Sequence, residues 1–264
     1  MNISKNIHTF IGCDSDYAES RIAIFGAPFD STTSYRPGAR FASSAMRNES
    51  YGIETYSPYQ DKDLLDAEIF DCGDLELCFG SPESALNDIE KMTENIISDG
   101  KLPIMIGGEH LVTLGAVRAA VKKYPDLRIV HFDAHADLRD DYLGQKLSHA
   151  CVMRRCHELL GDGKIFQFGI RSGDREEFLW GREHVYTNRF DFSGIERIKE
   201  KTGDRPVYFT LDLDVLDPSC FCGTGTPEAG GVSYNELIKA IEKVSELNAV
   251  SYTHLRAHET PEHL

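Results

Sequence analysis

Short apolar runs separated by helix-length stretches constrain this chain more than any other feature. Arg21–Ala27, Glu68–Cys72, Leu102–Ile106, Arg128–Phe132, Ile165–Ile170 and Val207–Leu211 each have the length and apolar content of a strand. Between them the spacing becomes helical. Ser81 is placed to cap a helix with Pro82 at its first position, Leu86, Ile89, Thr93, Ile96 and Ile97 on one face, and Gly100 as its stop. Further helices are expected after Gly108 to about Lys123, from Ser148 to Leu160, and from the capping box Ser233-x-x-Glu236 to about Leu247. Strands that alternate with helices make βαβ units, so the expected class is α/β with a mostly parallel central sheet.

Such sheets bind ligands beyond the carboxyl ends of their strands. Three polar clusters fall there: Gly107–His110, Asp133–Asp137 and Asp212–Asp214. Asp133, His135 and Asp137 occupy alternate positions, so an extended strand end points all three to one face. Asp212 and Asp214 repeat the pattern at a second strand end, and His110 adds an imidazole from a third. Four carboxylates and two imidazoles, with no thiolate, suit Mn2+ or Mg2+. So many like charges at one sheet edge need cations between them, and two ions sharing bridging carboxylates account for the number.

Other features bound the partners. The formal net charge of −15 argues against a nucleic-acid ligand, whose phosphates require basic surface. No apolar run reaches 18 residues, and the first residues lack the pattern of a signal peptide, so no membrane association and a cytoplasmic location are expected. The seven cysteines include no C-x-x-C pair and read as reduced thiols; Cys220-Phe-Cys222 alone is too little for a metal site. Gly107-Gly108 reads as a tight turn, His131 as a structural residue on the strand face away from the ligands, and His157 and His184 as surface residues. His149, just beyond the loop Asp140–Leu147, is placed to serve as a proton carrier.

At these positions the chain resembles the ureohydrolase family, the arginase and agmatinase group, over most of residues 21–250. Gly107-Gly-Glu-His110, Asp133-Ala-His-Ala-Asp137 and Asp212-Leu-Asp-Val-Leu-Asp217-Pro218, followed by Gly223-Thr-Gly-Thr-Pro-Glu228-Ala-Gly-Gly, look like its three metal motifs. Pro28-Phe-Asp30, Arg36-Pro-Gly-Ala-Arg40, Ser148-His149, Gly169-Ile-Arg171-Ser172 and Pro227-Glu228 are more similar to agmatinases than to arginases. The resemblance implies a three-layer α/β/α domain and a manganese-dependent amidinohydrolase. It also implies a centre of two Mn2+ ions. His110, Asp133, Asp137 and Asp212 would hold one, and Asp133, His135, Asp212 and Asp214 the other. A hydroxide held between the ions would attack the guanidinium carbon, with Asp137 orienting it and His149 passing a proton to the leaving amine. Agmatine would yield putrescine, a polyamine, and urea. A homo-oligomer, trimer or hexamer, is implied in the same way.

Three departures stand out. Cys222 replaces a proline of the family pattern, and Cys151 stands where a small hydroxyl residue is usual and would be oxidisable if its pKa were low. The family's Asp-[IV]-[VM]-Glu-x-[NS]-Pro segment, whose glutamate grips the guanidinium, has no counterpart. Residues 1–250 therefore read as one domain incomplete at its carboxyl end. Residues 251–264, SYTHLRAHETPEHL, resemble translated sequencing-adapter read-through and read as a non-native tail. Other readings stand beside the leading one: a ureohydrolase for guanidinobutyrate, arginine or formiminoglutamate, a single-zinc deacetylase of related fold, and a protein that binds metal without turnover.

Overall fold

The apolar runs become strands, and each is stopped by a residue that cannot extend the ladder or that turns polar at the sheet edge. A computed structural model describes residues 8–78 and 80–255. In its first half the elements are β1 (Ile22–Ala27), α1 (Ala42–Ser50), β2 (Tyr56–Ser57), β3 (Lys62–Asp63), β4 (Ile69–Asp74), α2 (Pro82–Ser98), β5 (Leu102–Gly107), α3 (Val112–Lys123) and β6 (Arg128–Phe132). Then follow α4 (Val152–Leu160), β7 (Ile165–Ile170), α5 (Arg175–His184), β8 (Tyr186–Arg189), α6 (Ile198–Thr202), β9 (Val207–Asp212), α7 (Tyr234–Ser245) and β10 (Ala249–Leu255). Eight strands form one sheet in the order β4-β1-β5-β10-β9-β6-β7-β8, and its ladders among the described residues are all parallel.

Successive residues of the central strands feed opposite faces, as the two-residue strand period requires. Ile129 and Tyr208 join Leu86, Ile89, Val117 and Met153 in the core beneath α2, α3 and α4. Their neighbours Val130 and Phe209 join Ile198, Leu237 and Val244 in the core beneath α6 and α7. The domain is thus the expected three-layer α/β/α sandwich. Ser81 caps α2 by accepting a hydrogen bond from Ser84 N, and Ser233 with Glu236 completes the capping box of α7.

Two expectations need correction. Ser148 does not begin an α-helix; a 3₁₀ turn at His149–Cys151 comes first, and α4 starts at Val152. The chain also leaves the extended conformation after Phe132, and Asp137 is left-handed with φ 52°. At the carboxyl end, strand alternation persists past Val250: Ser251, Thr253 and Leu255 are buried. They place β10 in the middle of the sheet, paired with β5 and β9. The remainder of the expected tail, 256–264, lies outside the described residues.

Candidate metal centre

The ends of β5, β9 and β6, three strands in the middle of the sheet, bring the polar clusters together. Asp133 directly follows β6, Asp212 is the last residue of β9, and Asp214 sits in the 3₁₀ turn Leu213–Val215. His110 follows β5 after a turn that packs on the backbone of Phe29. Glu109 N donates to the Phe29 carbonyl at 2.8 Å. A Cβ at Gly108 would collide with that carbonyl, so the close approach requires glycine there.

His110 Nδ1 lies 2.8 Å from Asp133 Oδ2, 3.1 Å from Asp137 Oδ2 and 4.0 Å from Asp212 Oδ2. His135 Nδ1 lies 2.9 Å from Asp214 Oδ2 and 3.4 Å from Asp133 Oδ1. The two oxygens of Asp133 therefore face two different donor groups. This arrangement depends on the departure from extended backbone: Asp133 and Asp137 turn toward His110, whereas His135 turns toward Asp214. The expected common face is replaced by two groups sharing Asp133, and in each the ligand-capable atoms lie within 4.8 Å of one another.

The donor chemistry fits divalent cations. His110 Nδ1 is buried and makes no hydrogen bond, although two carboxylate oxygens stand within 3.1 Å. A buried N–H left without a hydrogen bond would be costly, whereas a bare ring nitrogen beside two carboxylates is what a cation ligand requires. Burial, then the charges of Asp214 and Asp133, pushes the Asp212 carboxyl well above the usual range; burial, then Asp133, pushes Asp214 up as well. The cluster is short of positive charge.

Residues around the ligands hold them in place. Thr187 donates to Gln167 Oε1 at 3.0 Å, so the Gln167 amide nitrogen donates to the Ala136 carbonyl at 2.8 Å and to His131 Nδ1 at 3.0 Å. His131 then carries its proton on Nε2, which donates to Asp133 Oδ2 at 2.9 Å. His131 thus faces the ligands and positions the shared carboxylate, contrary to the expectation that it lies on the far face. Arg171 donates to the carbonyls of Asp214, Leu216 and Glu228, pinning the turn after β9. Glu228 accepts from Ser172 Oγ at 2.8 Å and lies 3.7 Å from His135 Nε2. In the sequence Arg171, Ser172 and Glu228 stand out only as motif members, and Gln167 carries no signal.

His149 lines the cleft above the ligands with Thr33, Ser34, Arg36, Arg139 and Tyr142. Its backbone N–H donates to Thr32 Oγ1 at 3.1 Å, and Thr32 N donates to Glu109 Oε2 at 2.8 Å. Glu109, next to His110, therefore ties the His149 wall to the metal turn. Burial pushes its carboxyl up to about 7 against these hydrogen bonds. Burial also holds the His149 imidazole below its usual value. Asp30 accepts from Gly38 N at 2.7 Å and pairs with Arg40, so the Pro28–Arg40 motif shapes a wall loop. Cys151 is fully buried and burial pushes its thiol up to about 12, which removes the expected route to oxidation. Cys220 and Cys222 are exposed, and neither belongs to a metal-capable group among the described residues.

The parallel α/β sandwich carries paired aspartate–histidine groups able to hold metal ions at its strand ends. Residues 20–253 match the Arginase family. The chain belongs to that family of ureohydrolases, which are binuclear metal enzymes. Its likeness is to the agmatinases within it. The agmatinase of Bacillus subtilis (strain 168) is 46% identical over 245 residues, 90% of this chain and 84% of the relative. The solved structure of a candidate agmatinase from Clostridium difficile is 49% identical with a TM-score of 0.89, covering 94% of this chain and 90% of its own. That of the agmatine ureohydrolase of Thermoplasma volcanium is 36% identical with a TM-score of 0.87, covering 96% and 87%. No helix among the described residues is long and apolar enough to cross a membrane.

Proposed function

We propose that this enzyme hydrolyses agmatine to putrescine and urea at a centre of two Mn2+ ions. The observation that carries the reading is the sharing of Asp133 between the donor groups around His110 and His135. In this reading His110, Asp133, Asp137 and Asp212 hold one ion, and Asp133, His135, Asp212 and Asp214 hold the other. When bound, the ions acidify a water toward neutral pH and so supply the nucleophile for a guanidinium carbon. Asp137 orients the attacking water by accepting its hydrogen bond. His149, held over the cleft by Thr32 and Ser34, takes up the released proton and delivers it to the departing amine. His131 keeps Asp133 in register between the two groups. The acidic balance of the chain favours a cationic substrate over an anionic one. A trimer or hexamer belongs to the same proposal and is read by light scattering.

The test is urea release from a panel of guanidines by the Mn2+-loaded enzyme. Agmatine is expected to give the highest kcat/KM. Activity confined to arginine, guanidinobutyrate or formiminoglutamate would overturn the substrate assignment. One zinc per chain together with amide cleavage would establish the deacetylase reading instead. Full metal loading with no urea from any guanidine would establish a binding protein.

A further inference from the structure

Away from the cleft, the carboxyl end of α4, the turn Gly161–Gly163 and the last residue of α5 come together. His157 Nε2 lies 2.8 Å from Asp162 Oδ1, and His184 Nδ1 lies 2.6 Å from the same oxygen. The two imidazole rings are 5.1 Å apart. Donor atoms of all three residues lie within 4.8 Å of one another.

Two imidazoles sharing one carboxylate oxygen can be a simple hydrogen-bonded trio. The difference here is how firmly the rings are held. Trp180, one helical turn before His184, stacks on that ring at 4.2 Å and an interplanar angle of 22°. It meets the His157 ring edge-on at 4.7 Å. Arg154, one turn before His157, lies over the Trp180 ring at 3.7 Å. The turn is pinned as well, because Gly163 N donates to the His184 carbonyl at 2.9 Å. The two nitrogens therefore point at one place and the rings are not free to turn away. Asp162, whose side chain is 68% exposed, is the member that can move.

The geometry points to a second metal site, separate from the paired centre, in which His157, Asp162 and His184 bind a transition ion of the Zn2+ or Ni2+ class. Such an ion binds between the two nitrogens at about 2 Å from each, closer to them than Asp162 Oδ1 now lies, and that oxygen gives way to become the third ligand. A fourth position is left to water. Imidazole donors favour these ions over Mn2+ and Mg2+, so the two sites select different metals. The bound ion joins α4 to α5. Both helices start at the cleft, α4 just after His149 and Ala150, and α5 at Asp174 and Glu177. A link between their far ends braces both walls.

The site carries its own reporter, since Trp180 is the one tryptophan in the sequence. The full chain, loaded with Mn2+, is titrated with Ni2+ while tryptophan emission is followed. Quenching is expected to saturate at one added ion per chain, and prior addition of Zn2+ is expected to prevent it. His184→Phe keeps the ring stack but loses the nitrogen, and His157→Gln removes the second imidazole. Each is expected to raise the half-quenching concentration at least tenfold, with circular dichroism unchanged. Asp214→Asn, at the paired centre, is expected to leave the quenching curve where it was. Quenching that does not saturate, that survives in both histidine variants, or that disappears in Asp214→Asn would overturn the proposal. If one histidine variant does not fold, the other decides.

Discussion

His131 has both ring nitrogens committed, one to Gln167 and the other to Asp133. Replacing it with alanine leaves the shared carboxylate free to rotate between the two donor groups. His131→Ala is therefore expected to weaken ion affinity by about 10–100-fold, as loss of a ligand's hydrogen-bond partner does. Calorimetric titration measures this, and unchanged affinity would reduce His131 to a packing residue. His149 stands on the opposite wall and touches no ligand. His149→Ala is expected to lower kcat by about 10²–10⁴-fold with ion content unchanged, the loss typical of a proton-transfer group. A rise in KM alone would make it a binding residue. The candidate ligands stood out in sequence because aspartates at alternate positions repel unless a cation separates them. The role of His131 was not. Strand β6 is buried on both faces, so the two-residue period no longer marks which face meets the site.

At the scale of elements, α5 acts on the site through its first turn. Glu177 and Asp174 form its capping box. Glu177 Oε1 also accepts from Leu138 N at 2.9 Å, and Oε2 lies 3.2 Å from Arg139 Nε. The loop that carries Asp137 is thus fastened to the start of α5. Glu177→Ala leaves the buried Leu138 N–H without a partner and removes half of the capping box. The expected cost is about 2–3 kcal/mol. Denaturant unfolding reads that cost, and kcat/KM is expected to fall as the Asp137 loop loosens. A loss of stability with full activity would show that the loop holds itself. Helix α5 escaped sequence reading because half of REEFLWGREH is charged, and its anchor is a buried carboxylate rather than an apolar stripe. Helix α1 (ASSAMRNES) and strand β8 (YTNR) escaped because neither carries an apolar stripe, whereas α2 and α7 announced themselves by caps and apolar faces.

Across the whole molecule, the centre lies where β5, β9 and β6 end, with β10 between β5 and β9. The alternation of apolar runs made the parallel sheet legible, but not the central place of β10. Ser251 and Thr253 are polar in composition, yet both are buried, and Thr253 satisfies its hydroxyl on Tyr208. The sandwich gathers Asp133, Asp137, Asp212 and Asp214 at one edge, and without cations the buried charges of Asp212 and Asp214 oppose folding. Ions that bind only the folded chain offset this. At a hundredfold excess over Kd one ion contributes about 2.7 kcal/mol. For a chain of this size that is a rise in Tm of roughly 5–10 °C. Chelation removes both proposed ions, so it is expected to lower Tm by about twice that amount and to abolish urea release. Asp212→Asn separates attraction from repulsion. It removes a charge that belongs to both proposed ion positions, so the gain on adding Mn2+ is expected to vanish. In the ion-free protein the same change relieves repulsion, and Tm is expected to rise above that of the ion-free parent. Scanning calorimetry with and without Mn2+ measures both. An ion-free variant less stable than its parent would mean that Asp212 contributes more by accepting from Asp214 N than it costs by its charge.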